Sequence, residues 1–130
     1  VHGSIETSVC LDCGHVERLA AVLEQLRHRV APLCPVCGAI VKPGVVMFGE
    51  VLPATAIDRA ERLARKTGVL LVVGTSLQVW PVAGLPAITL DAGGALVVVN
   101  RDETPYDDRA DLVLRAPAGV TLARLDGLLR

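Results

Sequence analysis

The sequence has few aromatic side chains and almost no net charge. Only Phe48, Trp80 and Tyr106 are aromatic among 130 residues, so a platform of rings on which nucleic-acid bases stack is not expected. Lys and Arg number 13 and Asp and Glu 14, for a formal net charge of −1, whereas a surface that binds phosphates normally carries a basic excess. These shortages argue against a nucleic-acid partner and predict an aliphatic core.

Long apolar runs are also missing. No stretch approaches the roughly 18 apolar residues of a membrane span, and no apolar signal segment is visible. We therefore expect a cytoplasmic protein with no membrane partner. The length fits one ordinary domain, and because the sequence begins at Val1 rather than Met, we expect a processed or truncated start.

Cysteine is scarce, but its spacing is informative. The four cysteines form two Cys-x-x-Cys pairs that are separated by twenty residues, and they are Cys10, Cys13, Cys34 and Cys37. This spacing is typical of a tetrahedral Zn²⁺ site with four thiolate ligands. Disulfides or free thiols are the alternatives, and a reducing compartment disfavours disulfides. Four sulfur ligands leave no open position for a catalytic water, so the predicted metal is structural.

The residues around the cysteine pairs favour tight metal-binding turns. Gly14 and Gly38 each follow a pair and Pro35 lies inside the second, as turns with special backbone angles require. His15 is a further potential metal ligand, but the four cysteines already complete the site. We expect His15 and His28 to be ordinary surface residues.

The rest of the chain alternates between helix and strand patterns. Residues 39–48 have an extended pattern that Pro43 and Gly44 interrupt. The pattern then predicts a helix over 54–66 capped by Gly68, a strand over 69–73 buried on both faces, a helix over 81–92 interrupted at Pro86, strands over 96–99 and 111–114, and a helix over 120–129. This order predicts part of a doubly wound α/β sheet.

Small and polar residues follow two of the predicted strands. They are Gly74-Thr75-Ser76 and Asn100-Arg101-Asp102. Ligands of open α/β sheets bind beyond the carboxyl ends of the strands, where hydroxyls, backbone N–H groups and a following helix N-terminus suit phosphate or ribose. Tight strand-to-helix turns explain the same residues about as well, so spacing alone leaves both interpretations open.

Taken in order, these segments resemble the sirtuins, which are NAD-dependent protein deacylases. The resemblance covers nearly the whole chain and rests on His2-Gly3-Ser4, the two cysteine pairs, residues 45–53 (VVMFGEVLP), residues 72–77 (VVGTSL), residues 79–86 and residues 98–100 (VVN). It implies an α/β fold, part of a Rossmann-like doubly wound parallel sheet with an inserted four-cysteine zinc-ribbon module. Residues 1–130 would form a partial catalytic domain, with the zinc ribbon at 8–42 and the carboxyl-terminal half of the NAD-binding domain at 43–130.

The resemblance also implies the chemistry. NAD would be a co-substrate, the zinc would be structural, and an acyl-lysine protein or peptide would be the partner. His2 would be the general base, which takes a proton from a ribose hydroxyl after the acyl oxygen has displaced nicotinamide, and imidazole suits that role near neutral pH. The implied cofactor-binding residues are Gly74, Thr75, Ser76, Asn100, Arg101, Asp102 and Ala118.

Three further residues are implied to bind the substrate. Val46, Phe48 and Gly49 would line the acyl-lysine channel beside a peptide that adds as a strand. The alternative is that Val46 and Phe48 are core residues at strand spacing.

One part of the sirtuin pattern is missing. The resemblance implies an upstream half with a glycine-rich turn and the first strands of the sheet, and this sequence does not contain it. A half-sheet would expose an apolar edge. Three hypotheses follow: the carboxyl-terminal part of a deacylase, a non-catalytic zinc-containing module that binds a partner, and a nucleic-acid-binding zinc ribbon, which the charge balance disfavours.

Overall fold

The computed structural model describes the whole chain, Val1–Arg130, which divides into two compact units, Val1–Pro53 and Ala54–Arg130. The predicted zinc ribbon at 8–42 lies entirely within the first unit. Residues 43–53, which the sequence grouped with the NAD-binding half, also belong to the first unit. They do so because the strand that contains Pro43 pairs with the strand that leads to Cys10.

The first unit is a small antiparallel sheet with one helix. Its elements are β1 Gly3–Cys10, β2 Val16–Arg18, α1 Leu19–Leu26 and β3 Val41–Val45, with the strand order β2-β1-β3. The predicted interruption at Pro43 and Gly44 is wrong, because both lie inside β3. Proline is tolerated there since β3 is an edge strand, so one side needs no N–H donor. The extended pattern ends instead at Val45, and the chain turns at residues 48–49.

The core of the first unit is very small. Its buried cluster consists of Cys10, Val22, Cys34 and Val41. Two of these four residues are predicted metal ligands, so little apolar surface is buried independently of the cysteines. A unit of this size needs a staple such as a metal to be stable.

The second unit confirms the predicted order of elements. It contains α2 Ala54–Lys66, β4 Val69–Val73, a 3₁₀ turn at Val82–Gly84, α3 Leu85–Asp91, β5 Ala95–Val99, a 3₁₀ turn at Asp107–Arg109, β6 Leu112–Leu114 and α4 Ala118–Leu129. The strands form a parallel sheet in the order β4-β5-β6. The bounds of α2 and β4 match the prediction because periodicity and an aliphatic run are local signals.

The two faces of this sheet differ in burial. On one face Val72, Leu96 and Val98 form a core with partly buried residues of α3. On the other face Val69 is 57% and Leu71 43% exposed, so the prediction of a strand buried on both faces is wrong for β4 in this chain. The reason is that Val69 and Leu71 lie on the face of β4 opposite the core around Val72, and that face is uncovered here.

The helices give two further results. Gly68 does not have the left-handed backbone of a helix cap, and the prediction is wrong because the chain leaves α2 through Thr67, whose Oγ1 donates to the Val69 carbonyl at 2.7 Å. α4 has no buried residue.

None of the helices combines the length and apolar character that crossing a membrane requires.

Candidate functional site

The four cysteines converge on one point in the first unit. Their Sγ atoms lie within 4.8 Å of one another, with 3.4 Å between Cys10 and Cys37 and 3.6 Å between Cys13 and Cys34. All four are free cysteines. Sulfurs at about 2.3 Å from a tetrahedral Zn²⁺ are about 3.8 Å apart, so this donor set fits zinc. His15 is not part of the cluster.

Two matching turns present the sulfurs. The Gly14 N–H donates to the Cys10 carbonyl at 3.2 Å, and the Gly38 N–H donates to the Cys34 carbonyl at 2.9 Å. Gly14 and Gly38 have φ of 70° and 78°, a left-handed backbone that glycine adopts without steric cost. The predicted special backbone angles are confirmed. Each pair therefore supplies one buried and one exposed cysteine to the same cluster.

The electrostatics of the cluster favour a bound cation. The backbone N–H of Cys13 stabilises the Cys10 thiolate and lowers the pKa of Cys10 to about 6. The His15 N–H favours the Cys13 thiolate, but the neighbouring thiols, Cys37 foremost, and burial outweigh it and raise the pKa of Cys13 to about 12. Once Cys10 is ionised, its negative charge therefore opposes ionisation of the neighbouring cysteines. A divalent metal removes this repulsion and deprotonates the ligands.

A pocket lies at the carboxyl ends of the parallel strands in the second unit. Its volume is about 330 Å³, and it is lined by Gly74, Thr75, Ser76, Asn100, Arg101, Asp102, Ala116, Pro117 and Ala118. The structure therefore brings all seven predicted cofactor residues to one cavity. They meet there because β4 and β5 are parallel neighbours whose carboxyl ends share one edge, with the Gly74 N–H donating to the Val99 carbonyl at 2.9 Å.

The pocket also faces the start of a helix. α4 begins at Ala118, and no side chain caps its N-terminus. The Thr121 N–H donates to the Pro117 carbonyl at 3.1 Å, while the preceding N–H groups of the first turn have no partner within the helix. Free N–H groups and the helix dipole favour a negatively charged group at this end.

A hydrogen-bonded network holds one wall of the pocket, and the sequence did not predict it. The Arg115 guanidinium donates to the Asp102 carbonyl at 2.7 Å and to the Asp107 carboxylate. The Thr104 N–H and Oγ1 donate to the same carboxylate at 3.0 and 2.7 Å. The Thr104 N–H, then Arg115, lower the pKa of Asp107 to about 2. No local sequence pattern marks this pair, because Asp107 precedes β6 and Arg115 follows it, and the two meet only once the chain is folded.

The low pKa of Asp107 predicts a dependence of stability on acid. Because its folded value of about 2 lies below its ordinary value of 3.8, its stabilising effect is fully present above about pH 4 and is lost as the pH falls toward 2. The unfolding temperature of the wild type should therefore fall between about pH 4 and pH 2. We expect a smaller fall over the same pH range in Asp107→Asn, which has no carboxylate to protonate at this position. Calorimetry of both proteins between about pH 2 and pH 6 measures the difference, and parallel pH profiles would contradict the prediction.

The predicted base lies at the start of β1 in the first unit. The Val46 N–H donates to the His2 carbonyl at 2.9 Å, so His2 and Val46 are backbone neighbours. Gly3 follows with φ of 75°, and a Cβ there would collide with the Gly44 carbonyl oxygen. Only glycine fits this approach of β1 to β3. The backbone hydrogen bond of His2 and the close approach at Gly3 therefore fix the position of the His2 backbone beside β3.

The predicted substrate residues follow β3. Phe48 is 97% exposed, so the alternative of a core residue is wrong for Phe48 in this unit. The Glu50 carboxylate accepts from the Met47 N–H at 2.9 Å and from the Lys42 ammonium at 2.9 Å. These two contacts, the Met47 N–H first, lower the pKa of Glu50. Glu50, for which the sequence predicted no separate role, closes the turn that carries Phe48 and Gly49.

Together, a four-thiol metal cluster and a polar pocket at the carboxyl edge of a parallel sheet define an α/β protein with a zinc-ribbon module. Residues 1–81 match the Sir2 family. The chain belongs to the Sir2 family.

Two curated relatives support this membership. The chain is 43% identical over its whole length to NAD-dependent protein deacetylase 1 of Pyrobaculum aerophilum, of which it covers 51%. It is 46% identical over 94% of its length to an NAD-dependent protein deacylase of Ralstonia nicotianae, of which it covers 48%. The chain thus spans about half the length of these curated relatives.

Solved structures give the same result. A structure of Sir2 with a p53 peptide and NAD⁺ matches all of this chain with a TM-score of 0.92 and 36% identity, and 55% of that chain is covered. A structure of Sir2Tm bound to a propionylated peptide matches 96% of this chain with a TM-score of 0.91 and 37% identity, and 53% of that chain is covered. The predicted fold class and family are confirmed.

Proposed function

We propose that this chain is the carboxyl-terminal part of an NAD-dependent protein-lysine deacylase, an acyltransferase that releases nicotinamide and O-acyl-ADP-ribose. The observation that carries the proposal is that all seven predicted cofactor residues line one pocket. Its position at the carboxyl edge of a parallel sheet is where α/β proteins bind nucleotides. The names of the relatives, NAD-dependent deacetylases and deacylases, agree with this activity.

The pocket residues divide by chemistry. Gly74, Thr75 and Ser76 offer backbone N–H groups and hydroxyls that suit the phosphate and ribose groups of NAD. Asn100, Arg101 and Asp102 form a polar wall for the adenosine ribose. Ala118 adds a small apolar contact, and the uncapped first turn of α4 favours the negative charge of the pyrophosphate.

His2 is the general base of the proposed reaction. The backbone pairing of His2 with Val46 and the close approach at Gly3 hold its Cα in one place. Its imidazole accepts the proton of a ribose hydroxyl while that oxygen attacks the carbon derived from the acyl group. General-base catalysis of this kind contributes about 10²–10⁴-fold to a rate.

The acyl-lysine substrate binds along β3 and the turn after it. β3 pairs with β1 on one side only, so a substrate peptide can add beside its other edge as a strand. Phe48, almost fully exposed in this chain, supplies an aromatic wall for the acyl group. Val46 and Gly49 flank it. Main-chain pairing tolerates varied side chains around the lysine.

Zinc is the structural metal of this function. The four cysteines of the cluster hold it, and no ligand position remains for a catalytic water. We assign residues 8–42 to the zinc ribbon and 43–130 to the carboxyl-terminal half of a Rossmann-like domain, both within a partial catalytic domain at 1–130, although residues 43–53 fold within the first compact unit.

The second candidate is a non-catalytic module that binds a partner. It is favoured by the exposed apolar residues of the second unit, such as Leu71 of β4 and Leu128 of α4. Both candidates require another polypeptide segment to cover this surface. The two candidates differ in whether the added segment completes an active enzyme. The deacylase accounts both for the polar pocket after β4 and β5 and for the exposed apolar residues, whereas the partner-binding module accounts only for the latter.

The test uses the full-length protein with the upstream reading frame. We expect nicotinamide release from NAD that depends on an acetyl-lysine peptide, and no turnover by residues 1–130 alone. A glycine-rich turn found within about 100 residues upstream would support the same conclusion, given the usual size of a domain. A folded, zinc-loaded full-length protein that releases no nicotinamide with acetylated or propionylated peptides would favour the partner-binding module.

A further inference from the structure

Arg115 connects two walls of the pocket without lining it. Its guanidinium donates to the Asp102 carbonyl at 2.7 Å, and Asp102 belongs to the wall that follows β5. In the sequence Arg115 directly precedes Ala116, the first residue of the opposite wall. The Arg115 side chain therefore acts together with the Asn100 N–H bond to the Leu114 carbonyl to hold the loop after β5 near the start of α4.

Asp107 holds the other side of the guanidinium. Its carboxylate accepts from Arg115 and also from the N–H and Oγ1 of Thr104, at 3.0 and 2.7 Å. The Asn100 side chain donates to the same Asp102 carbonyl at 2.9 Å. The Arg115–Asp107 ion pair thus holds the loop after β5 at two points, the Asp102 carbonyl and the Asp107 carboxylate.

The Arg115–Asp107 ion pair is partly shielded from solvent, which strengthens its hold on the loop. The Asp107 side chain is only 17% exposed and that of Arg115 37%, so water competes less for these bonds than at a fully exposed pair. Hydrogen bonds between ionised partners are about twice as strong as neutral ones. Loss of either charge would remove the ion pair, and the wall would then depend on the hydrogen bonds of Asn100 and Thr104 and on backbone contacts.

We propose that Arg115 and Asp107 are positioning residues that set the affinity for NAD by fixing the Asn100-Arg101-Asp102 wall against residues 116–118. This inference rests on the proposed function. Neither side chain lines the pocket, so their removal changes how tightly the nucleotide is held and leaves the acyl-transfer step unaltered.

The test compares Arg115→Gln, Asp107→Asn and the double variant in the full-length protein, with Arg124→Gln as control. Arg124 is an exposed arginine of α4 that forms no ion pair. We expect each single variant to raise the KM and Kd for NAD about tenfold, which corresponds to about 1.4 kcal/mol of binding free energy. The kcat and the KM for the peptide should stay within about twofold, and the double variant should resemble the singles because the pair acts as a unit.

The outcomes separate this inference from the proposed function. A wild-type protein that binds no NAD overturns both. A wild type that turns over NAD while Arg115→Gln and Asp107→Asn keep its KM overturns the positioning role alone. If Arg115→Gln does not fold, Asp107→Asn decides, because its amide oxygen can still accept from Thr104 while the ion pair is lost. Additive effects in the double variant, or a loss of kcat alone, would also contradict the inference.

Discussion

Replacing Cys34 with Ser is expected to release zinc and to unfold the Val1–Pro53 unit. Cys34 is 3% exposed and forms part of the small buried cluster with Cys10, Val22 and Val41. Structural zinc contributes apparent binding energies of about 10–16 kcal/mol in small zinc-finger peptides. The remaining apolar core of two valines cannot replace a contribution of that size.

The matched control lies in the same turn. Val36 is 68% exposed between Cys34 and Cys37, so Val36→Ser introduces the same side chain without removing a ligand. Zinc content by atomic absorption and hydrogen exchange of the first unit distinguish the two variants. A Cys34→Ser protein that lacks zinc and still protects the amides of β1 would show that the metal is not structural.

Replacing His2 with Ala is expected to reduce deacylation by the full-length protein by about 10²–10⁴-fold, the usual contribution of a general base. The fold should survive, because the contact of His2 with Val46 is made by the backbone carbonyl, which alanine retains. Zinc content and unfolding temperature should match those of the wild type. Nicotinamide release measured with an acetyl-lysine peptide gives the rate.

The control for this change is His28→Ala. The His28 side chain is 77% exposed and approaches only Glu24, so its loss should leave the rate unchanged. Added imidazole should partly restore the His2→Ala variant if the missing group is a base. An unchanged rate in His2→Ala would remove His2 from the mechanism while leaving the zinc assignment intact.

The local elements of this fold are predictable from the sequence because their signals are local. The apolar positions of α2 recur at helical spacing, and β4 is five aliphatic residues in a row, so their bounds follow without knowledge of the neighbours. β3 is different. Pro43 and Gly44 oppose a strand on propensity alone, and only pairing with β1 places them in one.

The candidate sites show the same division. The cysteine spacing predicted a four-sulfur cluster, because ligand pairs in short turns need no information from the rest of the chain. The strand ends at Gly74 and Asn100 predicted the location of the pocket, because parallel strands share an edge. Two features were not predictable from the sequence. They are the bonds of Glu50 that close the turn carrying Phe48 and the Arg115–Asp107 ion pair, and each depends on side chains that meet only in the folded chain.

By itself, the shortage of aromatic residues and of net charge predicted a mainly aliphatic core, in which Tyr106 is the aromatic member, and argued against a nucleic-acid partner. The motifs determined the family. Only the tertiary structure decided that Phe48 is exposed, that one face of β4 is uncovered, and that an ion pair braces the pocket. The physical reason is that composition and periodicity report each segment's own preference, whereas exposure and ion pairing depend on which segments pack together.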